Sequence, residues 1–202
     1  ANLPRESRDA LFLLGVIGWT ILPHLPHLPM WCVALTAAVL LWRARLALNN
    51  APLPSRWYLI GALLVAAALT MWTFRTLLGK EAGVTMLVVL MVLKTLELRA
   101  RRDALVVFFL GFFIVLTNFL YAQTLAVAAA MLVSVWGLLA ALVLAHMPVG
   151  RPPLARAGAV AAKAALLGAP IMVVLFMLFP RMAPLWAVPQ DTLAKTGLSG
   201  SL

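Results

Sequence analysis

The pair of residues best placed to do chemistry is Lys94 and Glu97, which follow a charge-free apolar stretch at 82–93. Residues three apart share a helix face, so these two charges can form an ion pair. As a helix, the stretch before them covers only about 18 Å, too little to cross a hydrocarbon core about 30 Å thick. Either the pair is buried and lines a polar cavity or a binding groove, or Lys94 extends to the headgroups while Glu97 pairs with Lys94 or Arg101.

Other polar side chains in apolar surroundings predict structural roles. Asn118 is too polar to face lipid, which favours a hydrogen bond to another helix, and Tyr121 fits an interfacial anchor. His24 and His27 are spaced like metal ligands, but the sequence nearby offers no third or fourth ligand, so a polar turn is favoured. Cys32 lies in an apolar run and is expected to behave as a small hydrophobic residue. Phosphate-loop, HExxH and GxSxG motifs are absent from the sequence, so we predict no catalytic, cofactor-binding or metal-binding residue.

The composition excludes a water-soluble globular domain. Of the 202 residues, 64% are hydrophobic and 11% are charged, against about 25% charged in an average soluble domain. Too few polar side chains remain to cover the surface of a fold of this size, and a chain so rich in apolar residues is not disordered. The net charge of +10 suggests nucleic acid, but the basic residues are spread between apolar runs and form no stripe, so no nucleic-acid partner is predicted.

The apolar runs predict an all-α, polytopic membrane bundle of about seven helices. Their expected bounds are 9–23, 29–42, 57–74, 83–98, 104–121, 125–145 and 157–179. Three prolines at 23–29 divide the first long run into two arms, because proline does not continue a helix. Each arm is short for a bilayer, so the alternative is five crossings plus a re-entrant hairpin. Pro170 is expected to kink the last helix, and the proline-punctuated segment 180–202 is interpreted as a connector along the outer interface.

The distribution of basic residues predicts the orientation of the bundle, because cytoplasmic loops carry an excess of Lys and Arg. With the N-terminus inside, twelve of the 16 basic residues fall on the inner side. The four on the outer side are Arg75, Lys80, Arg181 and Lys195. We therefore predict that the N-terminus is cytoplasmic and that Leu202 lies outside. No signal-peptide cleavage site is evident, and the polar end of the sequence suggests a segment of a longer protein.

Three blocks combine polar and apolar residues at fixed places that composition alone does not generate. They are GKEAG at 79–83 with LKTLELR at 93–99 and RD at 102–103; FFLGFF at 108–113 with LTNFLYAQ at 116–123; and LFPR at 178–181 with PLW at 184–186, Pro189, Asp191 and TGLS at 196–199. Together they resemble the N-terminal membrane region of TgpA-like bacterial transglutaminases, over nearly the whole chain. The candidate structural or functional polar residues at motif positions are Lys94, Glu97, Arg99, Asn118, Arg181 and Trp186.

The resemblance implies an inner-membrane bundle followed by a periplasmic transglutaminase-like domain. Acyl transfer from glutamine by a Cys-His-Asp triad would be the chemistry of that domain, and no catalytic residue carries over to this chain, since Cys32 lies in an apolar helix. Implied partners are the lipid bilayer, the downstream domain and an envelope protein, with no cofactor. The alternative is a small transporter or channel with a polar path through Lys94, Glu97 and Asn118, although no internal repeat supports it. An intramembrane enzyme ranks last.

Overall fold

In the computed structural model, residues 4–98, 101–147 and 150–178 are described, and they form helices joined by short turns. The seven α-helices within these ranges are α1 Arg5–Ile21, α2 Met30–Leu48, α3 Arg56–Phe74, α4 Lys80–Thr95, α5 Arg101–Asn118, α6 Leu125–His146 and α7 Leu154–Leu178. No strand occurs within the described ranges. The predicted all-α class is confirmed.

A short 3-10 helix, Leu22–His27, follows α1 directly and turns the chain towards α2. Pro26 lies inside it, and Pro29 immediately precedes α2, where proline is tolerated because the first N–H groups of a helix lack intrahelical acceptors. Both arms are longer than the sequence indicated, with 17 residues in α1 and 19 in α2. The difference arises because α1 begins at Arg5 and α2 continues past Arg43 and Arg45 to Leu48, whereas the expected bounds were 9–23 and 29–42.

Polar contacts at one end of the bundle bring together the starts of α1 and α3 and the ends of α2, α4 and α6. Arg5 in α1 donates to carbonyl groups at the end of α6. Arg43 in α2 donates to the carbonyl of Thr95, the last residue of α4. Arg56 at the start of α3 faces Glu97, just beyond α4. We call this the arginine end.

The opposite end, which we call the histidine end, holds the end of α1, the start of α4 and the end of α5. His24, beyond α1, contacts Thr117 in the last turn of α5. Lys80 at the start of α4 donates to the carbonyl of Leu120, just after α5. Helices α1 to α6 therefore alternate in direction, which is the arrangement that successive crossings of a bilayer would have.

The central helix of the bundle is α4, which packs against α1, α2, α3 and α5. Nine of its 16 residues are buried, and Val88, Val89, Met91 and Val92 are completely inaccessible. Dispersion contacts with the neighbouring helices stabilise such a side-chain surface. Because α4 faces protein on several sides, its short charge-free stretch does not have to match the thickness of a bilayer.

Five helical segments within the described ranges are long and apolar enough to cross a membrane. They are Arg5–His27, Met30–Leu48, Arg56–Phe74, Leu125–His146 and Leu154–Leu175. The central α4 is shorter than these, and α5 begins with two arginines and Asp103. Both arms of the first hairpin are thus of spanning length, contrary to the short arms that the sequence indicated.

The boundary between two compact units of the chain lies within α7, after Ala165. In the first unit, Ala157 and Ala161 are completely buried, and small residues at this spacing allow helix backbones to approach closely. In the second unit the structure describes only the remainder of α7. This part includes Pro170 within the helix and exposes large apolar side chains such as Ile171.

Candidate functional site

The two predicted charges Lys94 and Glu97 lie together at the arginine end, within a larger ionic cluster. Lys94 Nζ lies 2.9 Å from Glu97 Oε2 and 3.2 Å from Asp103 Oδ1. The other Glu97 oxygen, Oε1, lies 3.8 Å from Arg56 Nε. One lysine therefore bridges two carboxylates, and the cluster links α3, the end of α4 and the first turn of α5.

This ionic cluster is partly shielded from solvent. The side chains of Lys94, Glu97 and Asp103 retain 22%, 32% and 15% of their exposure. Solvent screens ion pairs less at such depths than on an open surface, and loss of one partner leaves the other charge partly desolvated. Because both carboxylates already face the ammonium group, the geometry favours a tie between helices over a site open to a ligand.

A cavity of about 470 Å³ opens at the arginine end between α1, α5 and α6. Its lining combines charged residues near the helix ends with apolar residues deeper in the bundle. The lining residues are Arg5, Glu6, Asp9, Ala10, Leu13, Arg43, Leu98, Ala104, Phe108, Leu138, Ala141, Leu142, Leu144, Ala145 and Met147. A second cavity of about 200 Å³ shares Glu6, Ala10, Arg43 and Leu98 with the first.

Arg43 belongs to the walls of both cavities. Its Nε donates to the Thr95 carbonyl at 3.0 Å, which gives a partner to one of the carbonyl groups left unpaired at a helix C-terminus. Within the described part of the chain, no carboxylate forms an ion pair with it. From the sequence, Arg43 indicated only the orientation of the bundle. The residues beside Arg43 in the sequence do not predict its place in the cavity walls, because most of the residues that surround it there come from other helices.

Arg5 ties the start of α1 to the turn that follows α6. Its Nη1 donates to the Gly150 carbonyl at 2.6 Å, and its Nη2 donates to the carbonyls of Met147 and Leu144 at 2.6 and 3.2 Å. Its Nε lies 3.5 Å from Asp9 Oδ2. The planar guanidinium, with five N–H donors, can satisfy several carbonyls at once, so Arg5 holds Leu144, Met147 and Gly150 against the start of α1.

Asn118 lies at the histidine end and keeps only 3% of its exposure. Its Nδ2 donates to Sδ of Met131 in α6 at 2.9 Å. The amide thus contacts another helix, and the contact joins α5 to α6.

Tyr121 follows α5 and contacts both a histidine and a lysine. The His27 ring stacks on the phenol ring at a centroid distance of 4.2 Å. Lys80 Nζ lies 4.2 Å from the centroid of the same ring and donates to the Leu120 carbonyl at 2.6 Å. A cation over an aromatic face is attracted by the ring quadrupole, so these contacts hold the start of α4 against the end of α5.

His24 is completely buried, within the turn that the sequence predicted to have polar tips at the interface. Its Nε2 lies 2.8 Å from Thr117 Oγ1, a residue 93 positions away, because the 3-10 turn packs onto the end of α5. Two buried polar atoms here, His24 Nδ1 and Tyr121 Oη, lack a hydrogen-bond partner among the described residues. No group of three or more His, Cys, Asp or Glu residues in that part of the chain is arranged to hold a metal ion.

A family model for the TgpA N-terminal domain matches residues 12–202. The chain belongs to the TgpA N-terminal domain family. It is also 36% identical over 208 residues to a protein-glutamine gamma-glutamyltransferase of Pseudomonas aeruginosa. That alignment covers 99% of this chain and 30% of the relative, so the chain spans less than a third of the relative's length. No solved structure matches the chain. The resemblance carried by the three sequence blocks is confirmed.

Half of the candidate polar residues of this TgpA N-terminal domain lie outside the described ranges. They are Arg99, Arg181 and Trp186. The predicted connector 180–202 and the side chain of Arg101 lie outside them as well. The three that are described fall at opposite ends of the bundle, with Lys94 and Glu97 at the arginine end and Asn118 at the histidine end.

The TgpA N-terminal domain has one cysteine in its sequence, Cys32. Its side chain is completely buried. A nucleophilic cysteine acts as an accessible thiolate in an electropositive surrounding, and an inaccessible thiol in an apolar helix does not meet that requirement. The described part of this chain therefore offers no accessible thiol for a transferase reaction of the kind for which the relative is named.

An apolar groove of about 780 Å³ lies between α1, α6 and the start of α7 in this domain. Glycines form part of its walls, at Gly15, Gly137 and Gly158. Trp136 Nε1 donates to the Gly158 carbonyl at 2.8 Å, which leaves the indole ring against the groove. A groove of this kind suits hydrocarbon, but it offers few polar groups that could orient a ligand.

Proposed function

We propose that this TgpA N-terminal domain is the membrane-embedded part of a longer inner-membrane protein-glutamine gamma-glutamyltransferase, in which it anchors and orients a periplasmic catalytic domain. The observation that carries the proposal is the alignment, in which 99% of this chain matches 30% of the relative bearing that name. Most of that relative lies outside the match, which leaves room for a soluble catalytic domain.

The outward-facing side chains support insertion into a bilayer. Five segments have the length and composition for a crossing, and large apolar side chains point outward along α3, α5 and α6. Examples are Leu64, Phe109 and Leu132, which are 65%, 60% and 69% exposed. In water, such a surface would cause aggregation, whereas lipid chains cover it without cost.

The basic residues support an orientation with the arginine end in the cytoplasm. When the N-terminus is inside, the sequence assigns twelve of the 16 basic residues to that side, and an excess of this size sets the orientation of polytopic proteins. With seven crossings, the sequence after α7 then emerges in the periplasm, where a catalytic domain would act on envelope proteins.

Alkaline phosphatase fusions to the gene product test this orientation. Activity is expected after Gly79 and after Leu202, and none after Asn50, because the enzyme folds only in the periplasm. A fusion after Leu28 separates the two counts of crossings, since it is active if α1 and α2 both cross and inactive if they form a re-entrant hairpin. Green fluorescent protein at the same sites should give the opposite pattern, and a reversal of both patterns would contradict the proposal.

A second prediction concerns where catalysis resides. The full-length gene product is expected to incorporate a fluorescent primary amine into protein glutamine residues, while residues 1–202 alone should incorporate none. The Cys32→Ala variant of the full-length protein should keep its transferase rate within about twofold, since the buried thiol does not reach a substrate. Incorporation by residues 1–202 alone, or loss of activity in Cys32→Ala with its expression unchanged, would contradict the proposal.

Transport through the bundle receives less support from the geometry. The described polar candidates lie at opposite ends, and the segment of α4 between them carries completely buried apolar residues such as Val88 and Val89. A polar path through the centre would require groups that satisfy an ion or a polar substrate at that depth, and these valines supply none.

A further inference from the structure

The lining of the 470 Å³ cavity at the arginine end changes from charged to apolar with depth. Along α1 the lining passes from Glu6 and Asp9 to Leu13 one turn further in. Phe108 of α5 and Leu138 of α6 line the deeper part, each at least one turn from its own helix end. The volume lies within the range of about 300–1,000 Å³ typical of ligand pockets. A charged mouth over an apolar floor suits an amphiphile.

Two of the charges at the mouth are already neutralised. Asp9 pairs with Arg8 at 2.8 Å and lies 3.5 Å from Arg5. Both terminal nitrogens of Arg5 donate to backbone carbonyls. These residues therefore shape the mouth and leave little capacity for a ligand.

The other two charges have no counter-charge among the described residues. The Glu6 carboxylate forms no ion pair there and is exposed at the mouth. Arg43 uses Nε for the Thr95 carbonyl, which leaves the four N–H donors of its terminal nitrogens. Glu6 and Arg43 line both cavities, so one free anion and one free cation face the same space above the apolar floor.

We propose that this cavity binds a zwitterionic phospholipid whose headgroup carries a phosphate and a primary ammonium group. The terminal nitrogens of Arg43 donate to the phosphate oxygens, an arrangement that the planar guanidinium favours. The Glu6 carboxylate accepts hydrogen bonds from the ammonium group, and Leu13, Phe108 and Leu138 contact the start of an acyl chain. The proposal rests on the proposed membrane insertion, and it places the bound headgroup in the leaflet at the arginine end.

The charge pair also predicts selectivity between lipids. Phosphatidylglycerol carries a phosphate without an amine, so it would satisfy Arg43 and leave Glu6 facing a second anion. Phosphatidylethanolamine satisfies both charges. The site is therefore expected to prefer the ethanolamine lipid, whereas the general attraction of basic residues for the membrane surface prefers anionic lipids.

The test uses the full-length gene product in detergent, with phosphatidylethanolamine or phosphatidylglycerol added at increasing concentration and bound lipid counted by native mass spectrometry. Glu6→Gln is expected to weaken phosphatidylethanolamine binding about tenfold with phosphatidylglycerol binding unchanged or stronger, since a hydrogen bond to a charged group is lost. Arg43→Gln should weaken binding of both lipids about tenfold. The matched controls are Glu81→Gln at the histidine end and Arg45→Gln, both exposed and outside the two cavities; they should leave both affinities unchanged.

Each outcome decides the proposal. Equal effects of Glu6→Gln on the two lipids would leave a simple anion site and overturn the zwitterion assignment. Lipid binding that none of the variants changes would show only annular lipid and overturn the site itself. If Arg43→Gln does not fold, the Glu6→Gln arm decides alone, because that side chain has no partner to lose. Lipid selectivity is measured in detergent and orientation in cells, so reversed phosphatase fusions would overturn the proposed function while the lipid result stands separately.

Discussion

Replacing Lys94 with methionine is expected to lower the free energy of unfolding of the bundle by about 2 kcal/mol. The two carboxylates of Glu97 and Asp103 would then lie close together and less than a third exposed, without the cation that both contact at 2.9 and 3.2 Å. Breaking a fully buried pair costs about 3–5 kcal/mol, and solvent screening at this partly exposed site reduces the value. Methionine retains most of the apolar stem, so the change isolates the loss of charge.

Unfolding of the purified protein in detergent, followed by heat or by denaturant, measures this effect. Lys163→Met is the matched control, because that lysine is exposed and forms no ion pair within the described residues. Adding Glu97→Gln and Asp103→Asn to Lys94→Met should restore part of the lost stability, since the two carboxylates that faced the ammonium group are then neutral. An unchanged midpoint for Lys94→Met would instead support the interpretation in which the ammonium group simply extends to the lipid headgroups.

The second large effect is expected for Arg5→Met, which removes the donors to three carbonyl groups at and beyond the end of α6. Hydrogen bonds to a charged group contribute about 1.5–3 kcal/mol each at most, and water replaces part of this loss at a helix end. We expect the α6–α7 connection to open, with limited proteolysis there at least about tenfold faster, which corresponds to about 1.4 kcal/mol of local stability.

Two variants separate this role from a general effect of charge. Arg5→Lys keeps the charge but cannot reach several carbonyls with one compact ammonium group, so it should recover only part of the protection. Arg8→Met removes a nearby arginine whose guanidinium donates to Asp9 and should leave the cleavage rate close to that of the wild type. Equal cleavage of the Arg5→Met and Arg8→Met variants would contradict the tie proposed for Arg5.

Local features of the fold could be predicted from the sequence because their causes are local. Apolar runs indicated the all-α class, and prolines marked the turn after α1. The spacing of Lys94 and Glu97 predicted an ion pair, and the two charged groups lie 2.9 Å apart, although α4 ends at Thr95 and Glu97 belongs to the turn after it. The third and fourth members of that cluster, Asp103 and Arg56, come from other helices, and no spacing rule along one helix connects them to it.

Features that depend on packing between distant helices could not be predicted. His24 is polar in its own segment, yet it is buried because α5 supplies Thr117 beside it. Glu6 and Arg43 line the same cavity because α1 and α2 are antiparallel, so that the start of α1 and the end of α2 meet at the arginine end. The helix bounds differ for a related reason, since charged residues at helix ends can reach carbonyls or water that a count of apolar residues does not register.

Under the membrane insertion proposed above, the central position of α4, the shortest of the seven described α-helices, has a consequence for biogenesis. The 16-residue helix α4, Lys80–Thr95, carries a lysine at its start and another in its last turn, so it has little tendency to leave the translocon for lipid by itself. When it emerges from the ribosome, its natural neighbours α1, α2 and α3 have already been synthesised, and they can receive it directly. Insertion of α4 into the membrane and its packing against α1, α2 and α3 would therefore occur together. A defect in the first three helices should then appear as misinsertion of the fourth.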